Sequence, residues 1–320
     1  MGLVEAWGGN AFGWFFAHLI EAPYNLVYAL LNPGTWLAWV PHVQLSGRIE
    51  DPEAAASLIR FIYYGASWQL FFALLFVFLV VTIAGLLNNL IMWSVVRGLE
   101  AMANAIGRAA AWFGLLMVLQ QILIIFLQRV FAVSEISLGF GMTFAKDVSW
   151  WAEELKLFNA IIVTLAVTYT FVQGGHVRVD LVYSVVSYRT KRIIDMCGSM
   201  IFMVPAALVT YFYGWFFMWR TLVTPKLSAS DTFKDLDQLL PKARALRWNV
   251  ETIGFSPNGF NGYFLFKVLL VAFTLLVILQ AVAFFYRSYL ELKEGPMSEG
   301  RFLDKDKLGD ETAELAAQIH

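Results

Sequence analysis

The sequence predicts an all-α integral membrane protein: a bundle of about five transmembrane helices, six if an aromatic N-terminal stretch also spans, with amphipathic interfacial helices beside them. Three observations predict it. Of the 320 residues, 59% are hydrophobic and only 15% charged, against about 25% charged in a soluble domain. Mean hydropathy is +0.63. Five stretches stay apolar over the roughly 20 residues a helix needs to cross a hydrocarbon core about 30 Å thick. Backbone polar groups in lipid find no water, so such stretches close their hydrogen bonds internally as helices.

Residues 1–64 read as an N-terminal interfacial or re-entrant segment. Within it, AFGWFFAHLIEAPYNLVYALLNPGTWLAWV (11–40) is rich in Trp, Phe and Tyr but interrupted by His18, Glu21, Pro23 and Pro33. Aromatic residues favour the membrane–water interface and prolines break a continuous span; a sixth spanning helix is the alternative. DPEAAASLIRFIYY (51–64) opens with Asp51 as a cap and Pro52 at the first helical position. Residues 65–107 hold an extra transmembrane helix, within 65–96, and a cytoplasmic connection. Residues 108–290 hold four further spans, near 109–128, 157–175, 196–219 and 268–286, and 291–320 form a charged cytoplasmic tail.

Loop charge sets the expected orientation. The connection 97–108 carries Arg97 and Arg108 against Glu100, and 176–195 carries Arg178, Arg189, Lys191 and Arg192 against Asp180 and Asp195. With Arg287 and Lys293 after the last span, these segments fall on one side if the spans alternate, and read as cytoplasmic. Segment 129–156 has four acids against three bases and reads as external. Segment 220–267, polar, long and closed by the turn signal Pro257-Asn258-Gly259, reads as a structured external cap.

Several functions are disfavoured. A net charge of −1 without Lys/Arg-rich runs gives no nucleic-acid footprint. The single cysteine, Cys197, cannot form an internal disulfide, and His18, His42, His176 and His320 lack the spacing of a zinc or haem site. No nucleophile–base constellation suggests an enzyme, so no catalytic residue, metal or cofactor is expected. The amino terminus lacks the basic start of a signal peptide, its first Lys or Arg being Arg48. The five spans carry only scattered polar residues, such as Gln120, Gln121, Asn159 and Thr164, where an ion pathway usually needs ionisable groups or broken helices near the midplane.

Three charged clusters remain. FLQRVF (126–131) ends a span with Arg129, placed to snorkel or to pair with an acid. SWWAEELKLF (149–158) opens the next span behind an Asp147 or Ser149 cap, with Trp151 at the interface and Glu153 and Glu154 at the start of the span, where acids suit the helix dipole. Neighbouring helical residues point about 100° apart, so the two glutamates do not converge on one site. Finally, VQGGHVRVDLVYS (172–184) sets His176, Arg178 and Asp180 just past a glycine helix stop, as topology charges or as an ionic clamp at the cytoplasmic interface.

The order of these clusters carries a resemblance. Gln128-Arg129-Val130-Phe131, then Trp151-Ala152-Glu153-Glu154, then Gly175-His176-Val177-Arg178-Val179-Asp180-Leu181, resembles the small membrane subunit, the DctQ family, of tripartite ATP-independent periplasmic (TRAP) transporters. YSVVSYRTKRIIDMCGS (183–199), with basic residues before Asp195, continues the likeness, which covers about 108–290. Residues 1–107 and the long 220–267 segment exceed the family's usual four-helix unit. The resemblance implies a small permease subunit in a bacterial inner membrane, multi-pass and surrounded by membrane lipids. It would scaffold a large substrate-translocating subunit during ion-gradient-driven uptake of organic acids or related solutes delivered by a periplasmic binding protein. It also implies subunit-interface or structural roles for Arg129, Trp151, Glu153, Glu154, His176, Arg178, Asp180 and Asp195. The rival reading is an accessory structural subunit of a respiratory or photosynthetic membrane complex, which bound haem, quinone or pigment would mark.

Overall fold

The computed structural model describes residues 3–43, 47–49, 51–139, 143–173, 185–223, 245–246, 259–260 and 262–304. The chain divides into two compact units: Met1–Leu87 with Phe212–Gly254 and Asn261–Val268, and Asn88–Tyr211 with Phe255–Phe260 and Leu269–His320. Among the described residues, four helices are long and apolar enough to cross a membrane, or five if one bent pair forms a single span.

The first unit opens with α1 (Leu3–Trp7), α2 (Ala11–Leu31), α3 (Gly34–Leu37), α4 (Pro52–Gly65) and α5 (Trp68–Leu87). Asn10 caps α2 by accepting from the Gly13 N–H at 2.6 Å. Contrary to the sequence expectation, Pro23 does not break this helix. An internal proline costs roughly 3 kcal/mol, and packing against α5 offsets it: Ala17 and Ala22 are buried, and Trp14, Phe15 and His18 set their rings 5.1–5.6 Å from Phe72. Pro33 does mark a break, since α2 ends at Leu31. At 21 residues α2 is long, yet it is not among the helices apolar enough to span.

Asp51 caps α4 as expected, accepting from Glu53 and Ala54, with Pro52 at the first position. Gly65 ends this helix against the Trp215 ring, so closely that a Cβ there would overlap the indole. The Trp215 Nε1–H donates to the Ile62 carbonyl at 2.8 Å. Gly47–Arg48 (β1) pairs antiparallel with Ala245–Leu246 (β4).

The second unit is organised by α6 (Asn89–Arg129), 41 residues long, or about 60 Å at 1.5 Å per residue. Asn88 caps it, separating it from α5. The expected cytoplasmic connection 97–108 is therefore helical. Its pattern explains why: Met92, Trp93, Val96, Glu100, Ala103, Asn104 and Gly107 recur at three- and four-residue steps and are all buried on one face. After α6, Glu135–Gly139 (β2) and Thr143–Asp147 (β3) form an antiparallel hairpin within the segment read only as an external connection. Asp147 then caps α7 (Val148–Leu165) through the Ser149 N–H. α8 (Val167–Gln173) follows with a 41° bend, so the segment of the predicted third span does not run as one straight helix. Gly107 admits the Tyr169 side chain onto α6 where any Cβ would collide.

Next come α9 (Tyr188–Cys197), a π-helical turn (Gly198–Met203) and α10 (Val204–Val223), together one long apolar helix through the predicted fourth span. Proline lacks the N–H for an i−4 bond, and the widened turn falls immediately before Pro205. The last helix, α11 (Phe264–Glu294), outruns the predicted 268–286 span at both ends. The beginning of the predicted tail, 291–294, is its final turn, and Gly295–Asp304 fold back as a short strap through Gly295 and Gly300, both at positive φ.

Candidate functional site

Two polar clusters lie in the second unit, both touching α6. The first gathers the N-terminal half of α6, the start of α9, the end of α11 and the strap. Glu100 and Arg287 form a two-pronged ion pair, with Nε donating to Oε1 at 2.6 Å and Nη2 to Oε2 at 2.5 Å. Their side chains are only 6% and 9% exposed. Arg287 also donates from Nη1 to the Arg301 carbonyl at 3.0 Å and lies 3.5 Å from Glu291. Glu291, 2% exposed, meets Arg192 at 3.0 Å; Arg192 in turn reaches Glu299 at 2.5 Å and Asp195 at 3.5 Å. Two buried acids, Glu100 and Glu291, thus face two buried arginines.

The strap closes this cluster. The Glu291 carboxylate accepts the Gly300 N–H at 3.2 Å, and Glu294 accepts from Asn89 and from the Trp93 indole, both at 3.0 Å, and pairs with Arg301 at 3.2 Å. Asp304 accepts from Asn104, Arg108 and Gln173, tying α6 to the end of α8. The Tyr188 hydroxyl donates to the Glu291 carbonyl.

The second cluster surrounds the start of α7. Both glutamates of W-A-E-E are half-buried, and they take different partners. The Glu153 carboxylate accepts the Phe260 N–H at 2.9 Å, while Phe260 is buried with its ring 5.3 Å from Trp150. Glu154 accepts from the Gln120 amide at 3.3 Å, and the same amide donates to the Trp151 carbonyl at 3.1 Å. This divergence is what helical spacing predicted. Gly259 leaves room for the Glu153 carboxylate, which any Cβ there would overlap. Gly259→Val should therefore displace Glu153 from Phe260 and destabilise the unit by about 1–3 kcal/mol, the usual range for overpacking; Gly259→Ala should do so less. Denaturation midpoints of the two variants in one detergent check the order.

Twenty residues separate Glu100 from Gln120 on α6, about 30 Å of helix.

The predicted site residues fare unequally. Trp151, Glu153 and Glu154 come together with Gln120 and Phe260. Asp195 joins the other cluster through Arg192. Arg129 is exposed in the last turn of α6, away from both. His176, Arg178 and Asp180 lie outside the described residues, as does most of the expected 220–267 cap. Sequence reasoning missed Glu100, Arg192, Arg287 and Glu291 as a group.

Helices of this length and hydropathy, with their buried charges compensated by one another, define a multi-pass α-helical membrane protein. The model of a family described as tripartite ATP-independent periplasmic transporters, DctQ component, matches residues 140–233. That stretch, which includes W-A-E-E and H-V-R-V-D, is similar to the DctQ component, the small subunit of TRAP transporters. No curated protein and no solved structure matches the chain.

Proposed function

We infer that the chain is the small permease subunit of a TRAP-type secondary transporter in a bacterial inner membrane. It braces a large subunit that carries substrate and coupling ion, while a periplasmic binding protein delivers an organic acid or related solute. The observation that carries this reading is the DctQ match over 140–233. The pairing of the buried charges supports it: Glu100 and Glu291 face Arg287 and Arg192 directly, an arrangement suited to holding helices rather than to passing ions.

Capture of the tagged chain from native membranes should bring down a large multi-pass subunit. Reconstituted alone, the chain should accumulate no solute under an ion gradient; accumulation would overturn the scaffold reading. Within H-V-R-V-D, Arg178 and Asp180 are assigned to a clamp at the cytoplasmic interface. Arg178→Ala should reduce both recovery of the large subunit and solute uptake, by tenfold or more if a desolvated ion pair worth about 1.4 kcal/mol or more is lost. Undiminished recovery would remove Arg178 from the interface.

A further inference from the structure

The 41° bend between α7 and α8 has no local cause. Sharp helix kinks arise at proline, at glycine, at a π-bulge or where a polar group is inserted. The residues around this bend, IIVTLAVTYT (161–170), hold neither proline nor glycine, and Ala166 lies at the break itself. By its own preferences the segment would continue as one helix.

The bend also leaves a polar group unsatisfied. A threonine inside a helix usually donates its hydroxyl to a carbonyl three or four residues back, as Thr82, Thr164, Thr170, Thr210 and Thr274 all do. Thr168 does not. It is 1% exposed, and its hydroxyl is buried with no hydrogen-bond partner. The carbonyl four residues back, that of Thr164, belongs to α7, across the break. A buried hydroxyl without a partner is unfavourable, so contacts elsewhere must hold the bend.

Those contacts lie along α8 and at its far end. Tyr169 packs onto Gly107, Val172 is buried, and the Gln173 amide donates to the Asn104 side chain at 3.3 Å and to the Asp304 carbonyl of the strap at 3.0 Å. Asp304 is fixed in turn by Asn104, at 2.8 Å through its carbonyl, and by Arg108 at 3.1 Å. We propose that α7 and α8 form a two-state hinge, latched in its bent form by the strap. When the strap lets go of Gln173, α8 swings off α6 and straightens onto α7, and the Thr168 hydroxyl reaches the Thr164 carbonyl. The latch can open without disturbing the ionic cluster. The Arg108 and Asp304 side chains are 47% and 60% exposed, so solvent weakens their pairing, whereas Glu100 and Arg287 stay buried together.

The test uses the full chain in mild detergent, with Cys197→Ser removing the exposed native thiol and Val172→Cys as reporter, a position buried while α8 is bent. Reaction with N-ethylmaleimide, followed by intact mass, measures how often that position leaves α6. Labelling should be slow in this background. Gln173→Leu and Asp304→Ala, which cut the tether from either side, should each raise the rate about tenfold. Adding Thr168→Val removes the hydroxyl at similar volume, and with it the gain from straightening. It should pull the rate back towards the background, and Thr168→Ser should not. Far-UV circular dichroism checks that each variant remains folded. Labelling is read on the isolated chain, so the outcome does not depend on whether a large subunit binds. Rates unmoved by both tether variants, or an equal response to Thr168→Val and Thr168→Ser, would each overturn the proposal.

Discussion

Arg287→Ala should lower the stability of the second unit by about 3–5 kcal/mol, the usual consequence of removing one member of a buried ion pair. The loss arises from the partner left behind more than from the attraction removed. Glu100 accepts both of its side-chain hydrogen bonds from Arg287 and has a side chain only 6% exposed. Without the guanidinium its carboxylate would be a charge in a low-dielectric site with neither donor, and the Arg301 carbonyl in the strap would lose its donor too. A double variant isolates that reasoning. Glu100→Leu with Arg287→Met removes both charges and keeps apolar volume, so it should be far milder than Arg287→Ala, and close to neutral if desolvation balances attraction. Chemical denaturation in one detergent, followed by tryptophan fluorescence, gives both values. If the double variant proves as unstable as the single one, the pair is a net source of stability rather than a mutual neutralisation.

That pair also shows where reading the sequence succeeds and where it stops. Helix and membrane character were legible because hydropathy over about 20 residues is a local property. The Asp51 and Asp147 caps were legible for the same reason, as was the divergence of Glu153 and Glu154, which follows from 100° per residue. Glu100 was read as a loop charge because its neighbours Arg97 and Arg108 look like a cytoplasmic connection. Its true setting was nevertheless in the sequence, in the stripe Trp93, Val96, Glu100, Ala103, Asn104 and Gly107, whose three- and four-residue steps put Glu100 on a packed face. Its partner was not legible, since Arg287 is 187 positions away and no local pattern links them. Pro23 misled for the opposite reason: a strong local rule gave way to the contacts of Trp14, Phe15 and His18 with Phe72. The β2–β3 hairpin escaped because five-residue strands beside a membrane helix leave little periodic signal.

Arg192→Ala should be comparably damaging at neutral pH, and its deficit should shrink on acidification. Arg192 bridges Glu291, Asp195 and Glu299. Glu299 is 60% exposed and solvent screens its share of the interaction, so Glu291 and Asp195, with side chains 2% and 10% exposed, dominate. Taking the arginine away leaves those acids close together, where among the described residues Glu291 retains Arg287 at 3.5 Å and the Gly300 N–H at 3.2 Å. The expected loss is about 3–5 kcal/mol. The sign of the pH effect follows from which form each group favours. Arg192 stabilises the ionised form of Glu291, so its contribution is present while that carboxyl is charged and fades as it takes up a proton. A buried neutral carboxyl without a cation is also far less unfavourable than a buried carboxylate. The gap between wild type and Arg192→Ala should thus be widest near pH 8 and clearly narrower at pH 5. Arg192→Lys should recover only part of the loss, because a single ammonium cannot reproduce a planar group that reaches Glu291 and Glu299 from different nitrogens. Denaturation midpoints for the three proteins at both pH values decide the matter. A deficit that stays constant between them would mean that Arg192 acts through the stacking of its guanidinium over the Tyr188 ring, 5.1 Å away, and not through its ion pairs with the acids.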